Sequence, residues 1–341
     1  MFTTNIQAFK QLGELLRNPQ RLEDTFGAAI ERQYRENSWF TPDFCRHALR
    51  AIGQMLAPEA LDAYLARYQH VAPAEAPRRR IAVISAGNIP VAAFHDFFCI
   101  LAGGNDYQGK LSSQDKILLP VLAQELVRIE PGFGERIQFV EKVTDFDAVI
   151  ATGSNNSARY FDYYFSKYPH ILRKNRNSVA VLDGTETEAE LRALANDIYL
   201  YFGLGCRSVS KLFVPEDYDF VPFLQILTQE SRPIAQHHQF NNNLEYQKAV
   251  HLMNQIFYMD AGTFLLVERP EYASPIGMLH FEHYQDLQAL NQRLTDDREQ
   301  LQCIVSHNPA INRAEPFGSA QSPTLTDYPD GIDTLWFTWE L

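Results

Sequence analysis

The run Ile81-Ala82-Val83-Ile84, followed by Ser85-Ala86-Gly87-Asn88-Ile89-Pro90 and then by a helical spacing of apolar residues from 91 to 101, reads as strand, turn and helix. The alternation continues downstream. Residues 117–129 have helical periodicity, while residues 137–140, 148–150, 179–182 and 212–214 are short β-branched runs. Helices are expected over residues 188–201 and 244–257, and the Asn241-Asn242-Asn243 triplet is expected to be a loop before the second of these. Strands alternating with helices indicate βαβ units and mostly parallel sheets. Because the pattern recurs past the middle of the chain, the expected fold is α/β, with two Rossmann-type units in succession.

Upstream, apolar residues three and four apart (Phe9, Leu12, Leu15, Leu16, then Leu49, Ile52, Met55) predict a helical lead-in over residues 4–68. Residues 71–77, with prolines at 73 and 77, read as a connector. At the other end, Thr334-Leu335-Trp336-Phe337-Thr338-Trp339-Glu340-Leu341 alternates like an exposed β-strand, either pairing with a second copy in a homodimer or lying as an edge strand within the chain.

A chain of 341 residues suits two domains, each burying its own core. A formal net charge of −12 argues against a nucleic-acid partner gripped through its phosphates. No apolar run is long enough to span a membrane, and the first residues lack the pattern of an export signal, so a soluble cytoplasmic protein is expected. The cysteines, at 45, 99, 206 and 303, show neither disulfide-framework nor zinc-knuckle spacing. His237, His238, His251, His280 and His283 lack paired metal-ligand spacing and are read as loop and helix residues, so no metal is expected.

Gly203-Leu204-Gly205-Cys206-Arg207-Ser208 places a cysteine on a glycine-lined approach to an apolar strand. A thiol on such a turn is well placed to act as a nucleophile, with amides near its sulfur and Arg207 able to lower its pKa. The same residues also suit a small buried cysteine.

Read in order, the motifs resemble a shortened member of the aldehyde dehydrogenase superfamily, and most closely its acyl-CoA reductase branch, the family of the fatty-acid reductase of bacterial luminescence. Gly87-Asn88-Ile89-Pro90 is similar to the superfamily's asparagine turn, which makes Asn88 the expected donor to a thioester oxyanion. Gly109-Lys110-Leu111-Ser112-Ser113 resembles the strand end that contacts the cofactor ribose, implying Lys110 and Ser112. Thr152-Gly153-Ser154 resembles the turn before a cofactor-side helix, implying Gly153 and Ser154. Glu271-Tyr272-Ala273-Ser274-Pro275 resembles the segment whose glutamate holds a ribose, with Ser274 in place of the usual glycine. Pro316-Phe317-Gly318 resembles the turn beside the nucleophile and adds Phe317 to the cofactor candidates.

By this resemblance Cys206 is the nucleophile, the cofactor is NADPH or NADH, and the partner is an acyl-CoA or acyl-carrier thioester. Residues 1–177, rejoined by a tail at 315–341, would form the cofactor domain, and residues 178–314 the catalytic domain. Hydrolytic members carry a glutamate about thirty residues before the cysteine as a general base for water. Here the corresponding stretch, Ile171-Leu172-Arg173-Lys174-Asn175-Arg176-Asn177, contains no carboxylate, which points to acyl reduction rather than aldehyde oxidation. Arg173, Lys174 and Arg176 would meet phosphates of coenzyme A or NADPH, or simply face solvent. Reduction of an acyl phosphate and a non-catalytic dinucleotide-binding role are the competing readings.

Overall fold

The structure, a computed structural model, describes residues 2–68, 70, 77–153 and 155–341, with backbone alone at residues 2, 3 and 155–159. Residues 71–76 of the expected connector lie outside the described residues. The chain divides into two compact units, Met1–Asn175 with Pro323–Leu341, and Arg176–Ser322. Among the described residues no helix is long and apolar enough to cross a membrane.

In the first unit the lead-in forms α1 (Phe2–Arg17), α2 (Pro19–Glu36), α3 (Pro42–Met55) and α4 (Pro58–Ala66). Asn18 and Thr41 start α2 and α3 by accepting the amides of Arg21 and Phe44, each followed by a proline whose missing N–H costs nothing at a helix start. Then come β1 (Arg80–Ile84), α5 (Phe94–Ala102), β2 (Asp106–Lys110), α6 (Leu118–Ile129), β3 (Ile137–Phe139), β4 (Ala148–Thr152), α7 (Asn155–Phe165) and β5 (His170–Arg173). The strands lie in the order β3-β2-β1-β4-β5, all parallel. Every residue of α5 is buried. Phe97 explains how: its ring meets Phe9 of α1 on one side (6.4 Å) and Tyr107 of β2 on the other (5.0 Å). A helix held between the lead-in and the sheet must be apolar all round.

The second unit contains β6 (Asn177–Val181), α8 (Glu188–Tyr199), β7 (Val209–Pro215), α9 (Phe220–Glu230), α10 (His238–Met253), β8 (Met259–Asp260), β9 (Leu265–Glu268), β10 (Met278–Tyr284), α11 (Leu287–Asp296) and β11 (Leu301–Val305). Its strands run β11-β6-β7-β10-β9-β8, parallel except where β8 pairs antiparallel with β9. Val179, Val181 and Phe213 of the sheet pack against Leu290 and Leu294 of α11. The Asn241-Asn242-Asn243 triplet is inside α10, not before it. His237 caps the helix by accepting the Phe240 amide, and the Asn241 and Asn243 side chains donate to the carbonyls of Ala235 and Gln239. His280 and His283, expected in loops or helices, lie on β10.

The predicted C-terminal strand is a helix, α12 (Thr334–Trp339). Asp333 caps it by accepting the Trp336 amide. Thr334, Leu335 and Thr338 are buried, a spacing that shares one helical face. That face packs on α5: the Thr338 carbonyl accepts from Asn105, and Trp339 Nε1 donates to the Gly103 carbonyl. The strand pairing read from the alternation disappears with the strand. The tail also changes units later than expected. Residues 315–322 stay in the second unit because the Glu315 amide and carbonyl bond to Ile304 and Ser306 beside β11.

Arg173, at the end of β5, is buried and donates to both oxygens of Asp96 on α5 (2.5 and 2.7 Å) and to Thr334 Oγ1 at the start of α12 (3.0 Å). One guanidinium therefore joins sheet, buried helix and tail, and the expectation that Arg173 meets a phosphate is not met. Removing one partner strands the other charge. Asp96→Ala is expected to destabilise this unit by about 3–5 kcal/mol, read as a fall in the urea midpoint at unchanged slope.

Candidate active site

In the first unit, parallel pairing places Ile84 level with both Lys110 and Ala151. The loops after β1, β2 and β4 therefore leave the same carboxyl edge of the sheet. The chain builds β1, β2 and β3 in one direction, then crosses to add β4 and β5 on the other side of β1. That reversal opens a crevice in which such sheets bind ligands. Asn88 and Lys110 are exposed, with Ser112 and Gly153 half-buried. Gly87 lies so close to Ser112 that a Cβ there would come within 2.2 Å of the hydroxyl, so only glycine fits before Asn88. The Gly153 amide donates to the Arg173 carbonyl, and α7 starts at Asn155. Ser154 lies outside the described residues. An exposed ammonium, a hydroxyl and a helix N-terminus around one switch point form a donor set that fits a dinucleotide. Lys110, Ser112 and Gly153 would hold it.

In the second unit, α8 is followed by three left-handed residues, Tyr201 (φ 53°), Phe202 (φ 56°) and Gly203 (φ 74°). Only the third is glycine, so burial must offset roughly 1–3 kcal/mol of strain at each of the others. Phe202 is fully enclosed, 4.4 Å from the His237 ring and 5.6 Å from Phe240. The turn that follows is tied at both ends: Ser208 N–H donates to the Gly205 carbonyl, Gly205 N–H to Ser208 Oγ, and Ser178 Oγ to the Cys206 carbonyl. Cys206 is exposed at the amino end of β7, whereas Cys45, Cys99 and Cys303 are buried. Burial pushes the Cys45 thiol up to about 12 and raises Cys99 and Cys303 as well.

Arg207 is an anchor. Its guanidinium pairs with Glu315 (2.6 Å), donates to the Ala320 carbonyl and reaches Cys303 Sγ. The guanidinium expected to act on the Cys206 thiol is thus also paired with Glu315. Gln321 donates to Ser208 Oγ, closing a second tie between the same two segments. The turn between Glu315 and Gln321 has Gly318 at φ 85°, and buried Asp197 of α8 accepts the amides of Gly318 (2.6 Å) and Ala320 (3.1 Å). Phe317 is buried, its ring 5.9 Å from that of His307.

β7 holds the third candidate segment too. Ser210 Oγ donates to the Tyr272 carbonyl, Lys211 Nζ to that of Pro270, and His280 Nδ1 bonds to that of Glu271, leaving the Glu271 side chain exposed. The first half of β7 thus holds the segment of Glu271, and the turn before it carries Cys206, whereas the Phe317 ring packs towards His307. Lys211, absent from the expected site, is the centre of this arrangement: fully buried, paired with Glu282 (2.5 Å) and lying over the rings of Phe213 and Tyr272. Its signal in the sequence was a lone lysine in an otherwise apolar strand. At the opposite, carboxyl edge, His307 lies 3.0 Å from both Asp183 and Glu190. Hydrogen bonds from Thr185, His307 and Asn308 outweigh burial and lower the Asp183 pKa to about 2. Asp183, Glu186 and His307 bring one ligand atom each within 4.8 Å of one another.

In the native protein iodoacetamide should label Cys206 and leave the three buried thiols unmodified until denaturant is added, as read by peptide mass mapping. A second expectation concerns pH. Burial pushes Asp197 up to about 7 against the pull of its two amide donors. Between the ordinary carboxylate range and that value the folded chain holds a proton that the unfolded chain releases, so its contribution to stability falls as pH rises through the window. Asp197→Asn should therefore narrow the difference in urea midpoint between about pH 5 and about pH 8.

The sequence profile of the acyl-CoA reductase (LuxC) family matches residues 35–308. No curated protein matches the chain in sequence. Among solved structures, indole-3-acetaldehyde dehydrogenase with NAD+ superposes with a TM-score of 0.63 at 15% identity, covering 92% of this chain and 75% of that one. The aldehyde dehydrogenase KauB of Pseudomonas aeruginosa gives 0.61 at 16% identity, covering 86% and 69%. Aldehyde dehydrogenase 21 of Physcomitrella patens gives 0.62 at 12%, covering 91% and 76%. At such identities the likeness establishes the fold, two Rossmann-type units of aldehyde dehydrogenase type. Since the family profile spans most of the chain, this protein belongs to the acyl-CoA reductase (LuxC) family.

Proposed function

We propose that the protein reduces an acyl thioester, an acyl-CoA or acyl-carrier species, to an aldehyde through a covalent thioester on Cys206. The observation that carries this reading is the contrast among the cysteines: Cys206 alone is exposed, on a turn tied at both ends, while the other three are buried. The Cys206 thiolate attacks the thioester carbonyl, Asn88 donating to the oxyanion. The bond to the donor sulfur breaks, and the donor leaves as a thiolate that takes up a proton from solvent. An acyl group remains on Cys206. Bound reduced nicotinamide, NADPH or NADH, supplies the hydride. Collapse of the resulting thiohemiacetal breaks the bond to Cys206, frees the aldehyde and restores the thiolate. Lys110, Ser112, Gly153, Ser154, Glu271 and Phe317 are proposed to hold the cofactor.

The direction of the reaction is supported by residues 171–177. They carry no carboxylate to activate water against the acyl-enzyme, and Arg173 within them is committed to Asp96. None of the four cysteines is joined in a disulfide, which fits a reducing compartment, and we place the protein in the cytoplasm.

The test is a panel of medium- and long-chain acyl-CoA with NADPH and with NADH. The expected results are cofactor oxidation, aldehyde release and, without reductant, an acyl adduct on Cys206. Cys206→Ala should lose at least about a thousandfold in kcat, and Asn88→Ala on the order of a hundredfold with little change in KM. Full activity in Cys206→Ala would remove the covalent route. Turnover of an acyl phosphate with no turnover of acyl-CoA would instead favour an acyl-phosphate reductase.

A further inference from the structure

The turn carrying Asn88 has an unusual neighbour. Val91, three residues on, has φ 52°, a left-handed conformation that a β-branched residue adopts only under strain. Its side chain is buried, so valine fills space there at the cost of an unfavourable backbone. The compensation comes from Asp115. This carboxylate is buried and accepts the Val91 amide at Oδ2 (2.7 Å), with the Ala92 amide also bonded to it. The other oxygen, Oδ1, is buried and has no hydrogen-bond partner among the described residues. A half-satisfied buried carboxylate is costly, and burial pushes its pKa up to about 7.

Asp115 is itself braced. Its amide donates to the Ser112 carbonyl, and the carbonyl of Gln114 beside it accepts from Gln33 and Asn37 of α2 and the residue after it (2.9 and 3.3 Å). Gly87, on the other side of Asn88, abuts Ser112 of the same loop. Asn88 therefore stands between two contacts with the loop at residues 112–115, one steric and one electrostatic, and that loop rests on the lead-in helices.

We infer that Asp115 is a positioning residue: it holds Val91 in its left-handed conformation and thereby sets the direction in which Asn88 presents its amide to the acyl oxygen. The inference rests on the reading of Asn88 as oxyanion donor. It also couples that donor to the loop of Ser112, the proposed cofactor contact, through one rigid segment.

The test compares Asp115→Ala, Asp115→Asn, Val91→Gly and the Asp115→Ala/Val91→Gly double variant in acyl-CoA reduction, with hydrogen exchange of the peptide spanning residues 86–93 as a second readout. Asp115→Ala should lower kcat by about tenfold to a hundredfold with KM within about twofold, and speed exchange in that peptide. Should Asp115→Ala fail to fold, Asp115→Asn, nearly identical in shape but unable to hold both amides as strongly, carries the same expectation. Val91→Gly relieves the strain, so the double variant should recover most of the lost kcat although Tm does not rise, because a buried side chain has also been removed. A bracing role confined to stability would move Tm and leave kcat per folded molecule unchanged, which would overturn the proposal. So would unchanged exchange in both Asp115 variants, or a loss of kcat that Val91→Gly does not recover. An Asn88→Ala variant with undiminished kcat would bring down the oxyanion reading instead, whatever the exchange data say of Asp115.

Discussion

Parallel pairing is the constraint on which the rest of this structure depends. A strand that runs parallel to its neighbour cannot return by a tight turn, so the chain crosses over, mostly through helices, and parallel strands end at the same edge. In the first unit this brings Asn88, Lys110, Ser112 and Gly153 to one side of the sheet although they are scattered over three connections. The helix that makes the first crossover is buried on every side, and its one buried carboxylate, Asp96, finds the guanidinium of Arg173.

Loops at the ends of these strands are held largely by buried polar groups. Asp115 grips the turn after Asn88; Asp197 grips the turn after Phe317; Arg207, Ser210 and Lys211 secure two segments to β7. Buried charges of this kind contribute little net stability, since desolvation offsets most of their attraction. What they specify is geometry: each carboxylate or ammonium accepts one arrangement of backbone groups, and a hydrophobic substitute would accept many.

Much of this was legible in the sequence. The β-branched runs became strands, the lead-in became helices, and the glycine-flanked cysteine emerged on an exposed turn, because hydrophobic period and turn chemistry are local properties. Misreadings occurred where a local pattern had two solutions. Thr334 to Leu341 alternates in hydropathy, but its buried residues, Thr334, Leu335 and Thr338, also fall on one helical face, and the floor offered by α5 together with the Asp333 cap chose the helix. The asparagine triplet looked like a loop until the cap at His237 placed it inside α10.

Arg173 and Arg207 show the other limit. In the chain each is a cation near a functional motif, open to a phosphate or a thiol, and an acidic partner of each lies 77 or 108 residues away. Nothing in the order of residues pairs Arg207 with Glu315 or Asp115 with Val91. The sequence by itself determined the succession of strands and helices, the family motifs and the single glycine-flanked thiol, since these depend on neighbours along the chain. Only the tertiary structure decided which charges are buried, which loops they hold and which turns bear strain, because burial and pairing are properties of contacts between distant segments.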